Sequence, residues 1–318
     1  MVPRRLGCLR AQACGRPHAA QHSSSADRPR RGPHPLSLVP IPAPPTQQEH
    51  LLVLPDPPRD PFNNLDPAQT VRVLPRHLAG PGQADLETIW AFPFDDGWHL
   101  HQGLEGMVFA ISPCARLWTR FAPKPEERGA DTWTIGMDRA PFGPRAWEIT
   151  FDATTPAELL RDVHTELLDL YLEDRHSEKN HLVEDPTAPH EVYTPLLTHG
   201  WSHSVKTDGT QTFLPPEGLG GVRHRYATTG SDGPVWRAWG GYPSAPHWQA
   251  QFSAGAPTTL AAAFTASLIS TEPLHRAVKQ IPFHTRRHLY VAPAAAPQPP
   301  SHLPPAPPSA PHPAGRAR

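Results

Sequence analysis

From Leu159 to Tyr171 the apolar positions recur at intervals of three, four and seven, at Leu159, Leu160, Val163, Leu167, Leu170 and Tyr171, while Arg161, Asp162, Glu166, Asp169 and Glu173 fall between them. That spacing predicts an amphipathic helix with one face on a core. Thr155 before Pro156 and Glu158 reads as an N-cap, a proline at the first helical position and the acid of a capping box. Upstream, aromatic and β-branched residues gather in short runs separated by turn residues, at Trp98–Leu104, Met107–Ile111, Arg116–Phe121, Thr132–Met137 and Ala146–Phe151. These predict strands of a meander, the first two joined by a tight turn at Glu105-Gly106, where glycine supplies a positive φ.

The same plan recurs about 100 residues later. At an offset of 103, Gly97-Trp98 matches Gly200-Trp201, Arg120 matches Arg223 and Trp133 matches Trp236. After a two-residue gap, Trp147 matches Trp248, Phe151 matches Phe252 and Pro156 matches Pro257. Tryptophan makes up 9 of 318 residues, so three matched pairs mark a tandem duplication. The expected fold is α+β: two tandem copies of a small antiparallel meander, each followed by one packed α-helix, at 69–174 and 196–272. One copy of this size buries a marginal core, so the two are expected to pack as a pseudo-dimer across a connector at 175–195.

Composition adds the ends. Fourteen of the 44 prolines lie in residues 1–68 and twelve in residues 273–318, which predicts disordered, proline-rich termini. Both ends are basic, with Arg4, Arg5, Arg28, Arg30 and Arg31 in one and Arg276, Lys279, Arg286 and Arg287 in the other, whereas the middle is acidic. Such tails suit a polyanion, so nucleic acid enters as a partner through the tails. No apolar run approaches a membrane span and no secretory h-region follows the first arginines, which points to a cytoplasmic protein with no membrane contact. Three cysteines, Cys8, Cys14 and Cys114, support neither a disulfide framework nor a thiolate zinc site.

The stretch Val71–Gly80 (VRVLPRHLAG), the Gly-Trp pairs, Ser112-Pro113 and the run from Trp147 through Thr-Pro-Ala-Glu to Leu159 together resemble an actinobacterial family of unknown function, DUF317, which usually occurs in two copies. The resemblance spans about residues 70–289 and implies tandem domains without implying an activity, cofactor or site. The second copy has Pro215-Pro216 where the first has Ser112-Pro113, and it lacks the Pro-Arg-His-Leu-Ala-Gly lead-in.

Candidate chemistry is sparse. His99 with His101, His199 with His203, and His284 with His288 have metal-like spacings, but the repeat does not preserve them, so neither a metal nor another cofactor is expected. Asp95 and Asp96 beside Gly97 could form an acid–base pair, and Arg76 and His77 in the unique lead-in are the other first suspects for a site between the copies. Arg286 and Arg287 are the tail candidates. The residues that do repeat, Gly97, Trp98, Trp133, Trp147, Phe151, Pro156 and their counterparts Gly200, Trp201, Trp236, Trp248, Phe252 and Pro257, read as scaffold. The leading expectation is therefore a non-catalytic interaction or regulatory protein with a protein partner. Polyanion binding through the tails and an enzyme site between the copies stand as alternatives.

Overall fold

The structure, a computed structural model, describes residues 60–83, 85–123, 132–226 and 233–292. Most of both proline-rich ends lies outside these residues. In chain order the elements are β1 (Thr70–Leu74), α1 (Leu86–Ile89), β2 (His99–Gln102), β3 (Val108–Ile111), β4 (Leu117–Ala122), β5 (Thr132–Asp138), β6 (Arg145–Asp152) and α2 (Ala157–His176). They continue with α3 (Pro189–Thr198), β7 (Ser202–Val205), β8 (Gln211–Leu214), β9 (Gly220–His224), β10 (Trp236–Tyr242), β11 (Ala245–Phe252), α4 (Thr258–Leu268), β12 (Leu274–Ala277) and β13 (Tyr290–Ala292).

The two meanders fuse into one antiparallel sheet of ten strands, ordered β2-β3-β4-β5-β6-β11-β10-β9-β8-β7. The seam is the β6–β11 ladder, where Phe151 faces Ala250, Thr150 faces Gln251 and Ile149 faces Phe252. Under the repeat offset this register is symmetric about Thr150 and Gln251, so a local twofold axis runs between the copies. The register of each half repeats as well. Trp133 pairs with Phe151 and Trp236 with Phe252, and each hairpin has an irregularity at the matching place, between Met137 and Asp138 and between Gly240 and Gly241. The α+β duplication read from the sequence is therefore present in the hydrogen-bond ladder itself.

Alternation sends Trp133, Ile135, Trp147, Ile149 and Phe151 of one copy, and Val222, Trp236, Ala238, Trp248, Ala250 and Phe252 of the other, to one face, where they join α2, α3 and α4 in a continuous core. Burying indoles and phenyl rings on this scale is the main favourable term in folding such a unit. The matched tryptophans are thus packed rather than displayed: Trp98 stacks on Phe92 at 4.0 Å, and Trp236 on His224 at 3.9 Å.

Three local readings change. The helix start moves one residue, because Pro156 is the N-cap of α2 and makes no side-chain cap. Thr155 lies outside the helix, its buried hydroxyl lacks a hydrogen-bond partner, and Glu158 turns to Arg276 instead. The stretch expected as a polar connector carries α3, whose Val192 and Leu196 are fully buried against the core. Finally, residues 274–292, placed in the C-terminal tail, are folded where they are described. β12 and β13 flank β1 in a three-stranded sheet, with a small core of Phe62, Val71, Val73, Leu78, Leu219, Leu274, Val278, Ile281 and Leu289. The turn at Glu105-Gly106 does form as expected, with φ of 57° and 76° at the two positions. No helix among the described residues is long and apolar enough to cross a membrane.

Candidate functional site

The lead-in Pro75–Ala79 folds into a short 3-10 turn, Arg76–Leu78, with all three side chains buried. Its neighbours Arg76 and His77 face different surroundings. Arg76 donates to the carbonyl and the carboxylate of Glu272 and to Ser267, and lies 3.5 Å from Asp162. These contacts staple the 3-10 turn to the second turn of α2 and to the end of α4, so Arg76 is occupied structurally.

His77 borders a cleft of about 700 Å³, within the size range of small-molecule sites. The lead-in, the Gly-Trp loop of the second copy, the Pro215–Glu217 turn, the end of α4 and residues 287–290 line it. His77 Nε2 lies 2.5 Å from Glu217 Oε1, and its ring meets Trp201 edge-on at 5.8 Å. Burial alone would raise the Glu217 carboxyl, but the hydrogen bond and charge of His77, with His288 nearby, hold it below its ordinary range. The exposed Arg287 and His199 also line this cleft.

Of the sequence candidates, His77 and Arg287 therefore meet in one place. Asp95 and Asp96 do not. They sit exposed on a 3-10 turn before Gly97, among the residues of the first copy. Arg286 donates to the carbonyls of Ile281 and Val278 and stacks near Phe283. Arg276, read as a tail cation, is 2% exposed and closes a bidentate pair on Glu158. The seam expected to hold a cleft between copies is instead a strand ladder, and α2 packs on α4 beneath it. Among the described residues no group of three or more His, Cys, Asp or Glu is placed to hold a metal ion.

A second surface was not read from the sequence. On the sheet face away from the helices, the strand register lines up Arg120, Thr134, Thr150, Gln251, Arg237 and Arg223 as a polar row crossing the seam. One indole lies flat on this face in each half. Trp118 of β4 covers Gly136 of β5, and Trp239 of β10 covers Gly221 of β9, so the tryptophan and the glycine have exchanged strands between the copies. Each indole has an arginine near it: Arg145 is 4.3 Å from the Trp118 ring, and Arg223 is 5.6 Å from that of Trp239. In the first half Arg145 is neutralised by Asp138 and Glu148. In the second half Arg223 and Arg225 have no carboxylate within ion-pair reach among the described residues, and Arg237 bonds only the amide of Gln249. The signal for this was in the repeat alignment, because Ala122 and Thr134 of the first copy stand where Arg225 and Arg237 stand in the second.

The geometry defines a duplicated α+β protein whose two units share one sheet, with all α-helices of the described residues on one side and a partly cationic face on the other. Residues 111–172 and 216–274 each match the model of the SPDY family, a domain of unknown function (DUF317), consistent with tandem copies of that domain. The matched ranges cover β4 to α2 and β9 to α4 and leave the lead-in outside. Neither a curated protein nor a solved structure matches the chain.

Proposed function

We propose that this protein is a non-catalytic interaction module that docks an acidic segment of a protein partner on the open face of its ten-stranded sheet. The observation that carries the reading is the set of guanidinium groups at Arg223, Arg225 and Arg237, half-buried over the second half of the sheet with no acid paired to them among the described residues. Desolvated cations without counter-charges are costly, and a partner that supplies the carboxylates recovers that cost while fixing register. Trp118 and Arg120, on the other side of the seam, extend the surface with the aromatic and arginine chemistry that anchors protein interfaces.

The test is the binding of a labelled Asp/Glu-rich peptide to the full chain, with a neutral peptide of equal length and a single-stranded oligonucleotide as alternatives. Saturable binding of the acidic peptide is expected, weakening with salt and falling at least tenfold in Arg223→Glu with Arg237→Glu, while the melting transition is retained. Failure of the acidic peptide to bind overturns the reading. So does preferential binding of the oligonucleotide through the same residues, which would make the face a nucleic-acid surface.

A further inference from the structure

Arg223 and Arg225 project from the same side of β9 and its extension, and Arg237 stands opposite Arg223 on β10, with Gln251 opposite Arg237 on β11. Their side chains and Pro234 enclose a cavity of about 180 Å³. That volume is below the range of drug-sized ligands, so it suits one charged group rather than a whole cofactor. Among the described residues its lining holds three guanidiniums, one amide and no carboxylate. The Nε atoms of Arg223 and Arg237 are buried and have no acceptor among the described residues. Burying such donors unsatisfied is unfavourable, and in a folded protein that asks what fills the gap. Gly233 contributes by absence of a side chain, since a Cβ there would lie 2.5 Å from Nη1 of Arg225. Asp152, which faces Gln249 across the seam, is engaged by that residue's backbone N–H and does not line the cavity.

The first copy carries a less cationic version of this surface. There Arg120 donates to Thr134 through Nη2, with its Nε buried and without an acceptor among the described residues as in Arg223 and Arg237, and Arg145 is matched by two acids. In the second copy Arg145 and its two acids give way to Pro246, Gly241 and Gln249, while Arg225 and Arg237 stand in place of Ala122 and Thr134. The positions that line the cavity thus carry one arginine in the first copy and three in the second.

We infer that the Arg223–Arg225–Arg237–Gln251 cavity is a binding site for a single tetrahedral oxyanion of the phosphate class. Three forked guanidiniums converging on one small space present paired N–H donors to several oxygens at once, which suits a tetrahedral anion better than a planar carboxylate. The inference rests on the reading of this face as a docking surface for acidic partners, and it names the group that occupies its centre.

The experiment titrates the full chain with inorganic phosphate, phosphoserine and acetate, by calorimetry and by phosphorus NMR for the first two. Saturable binding of phosphate is expected, with acetate at least tenfold weaker. Arg223→Gln, Arg225→Gln and Arg237→Gln should each weaken phosphate tenfold or more, whereas Arg120→Gln, on the same row across the seam, should change it less than twofold. Gly233→Ala should weaken it through Arg225 alone, which guards against loss of fold as the explanation. Tighter binding of phosphoserine than of phosphate assigns the site to an esterified group, and equal or weaker binding assigns it to the free anion. Either result supports an oxyanion site. Absence of saturable phosphate binding, or an equal loss in Arg120→Gln, overturns it. If the acidic peptide still docks when phosphate does not, this inference falls and the proposed function stands.

Discussion

Arg145 in the first copy is held between Asp138 and Glu148; at the equivalent places in the second copy stand Pro246, Gly241 and Gln249. Beneath that difference the two copies keep the same ladder, the same paired aromatics and the same β10–β11 or β5–β6 irregularity. The helix-facing side is thus constrained by packing in both copies, where volume and register leave little freedom. The opposite side is constrained only by its own charges, and it is there that the copies separate. A duplicated scaffold keeps its core in duplicate and carries its chemistry in one copy. The cleft at His77 is likewise one-sided, since it is built from the end of β1 with the lead-in, from the second copy and from residues 287–290, and none of the strands β2 to β6 lines it.

The largest effect that tests this comparison lies in the shared core. Trp147 and Trp248 occupy equivalent places, and each indole N–H donates to a carbonyl of a different segment, Leu182 for Trp147 and His77 for Trp248. Either Trp→Ala substitution should cost about 3–5 kcal/mol in denaturant unfolding. Phe at each position separates the copies: Trp147→Phe should raise hydrogen exchange near Leu182, and Trp248→Phe should raise it in the Arg76–Leu78 turn. Exchange at the His77 turn that rises equally in both variants would contradict the division of roles.

A second effect is confined to the first copy. His164 of α2 is completely buried; its Nδ1–H donates to Leu160 O, and Nε2 accepts from Thr119. In the second copy the matching residues are Thr265 and Val222, with Thr265 bonded to Val192 O instead. Burial lowers the His164 pKa from 6.5 to about 4. The unfolded chain therefore binds more protons than the folded one between those values. The stabilisation is complete above pH 6.5, is lost as pH falls toward 4, and amounts to about 3 kcal/mol. Stability measured by denaturant across that window should show this slope, and His164→Gln should flatten it. A slope unchanged by the substitution would place the acid sensitivity elsewhere.

What the sequence could show follows from the same division. Large, rare side chains at matched offsets revealed the duplication, because tryptophan in a core is fixed by shape. The helix α2 was legible because its apolar positions follow the helical period and its start carries a proline. α3 was missed because Pro189 and Pro195 and a short length hide a helix whose stability comes from packing on α4, and propensity does not report tertiary contacts. Residues 274–292 were grouped with the tail by composition, yet Leu274, Val278, Ile281 and Leu289 are enough to close a small core around β1. His77 and Arg287 could be named from the sequence, but not their meeting with Glu217, which joins residues 140 positions apart. The arginine cavity escaped because its members are spread over β9, β10 and β11, and only strand register brings them together.

The smallest effect asks whether the two open faces are interchangeable. Trp118 over Gly136 and Trp239 over Gly221 are the same contact with the strands exchanged, and a Cβ on either glycine would collide with the indole lying on it. Gly136→Ala alone should therefore cost about 1–3 kcal/mol, because the ring has to lift from the sheet. Trp118→Gly with Gly136→Trp rebuilds in the first copy the arrangement the second copy already holds, and Arg120 then stands where Arg223 stands beside Trp239. The double variant should be within about 1 kcal/mol of the parent, well below the sum of the two single changes, with the difference read as coupling in a double-mutant cycle. Additive losses would mean that Arg145, which lies 4.3 Å from Trp118 and has no counterpart in the second copy, fixes the indole to its own strand. In that case the two faces differ in packing as well as in charge, although the ladder beneath them is the same.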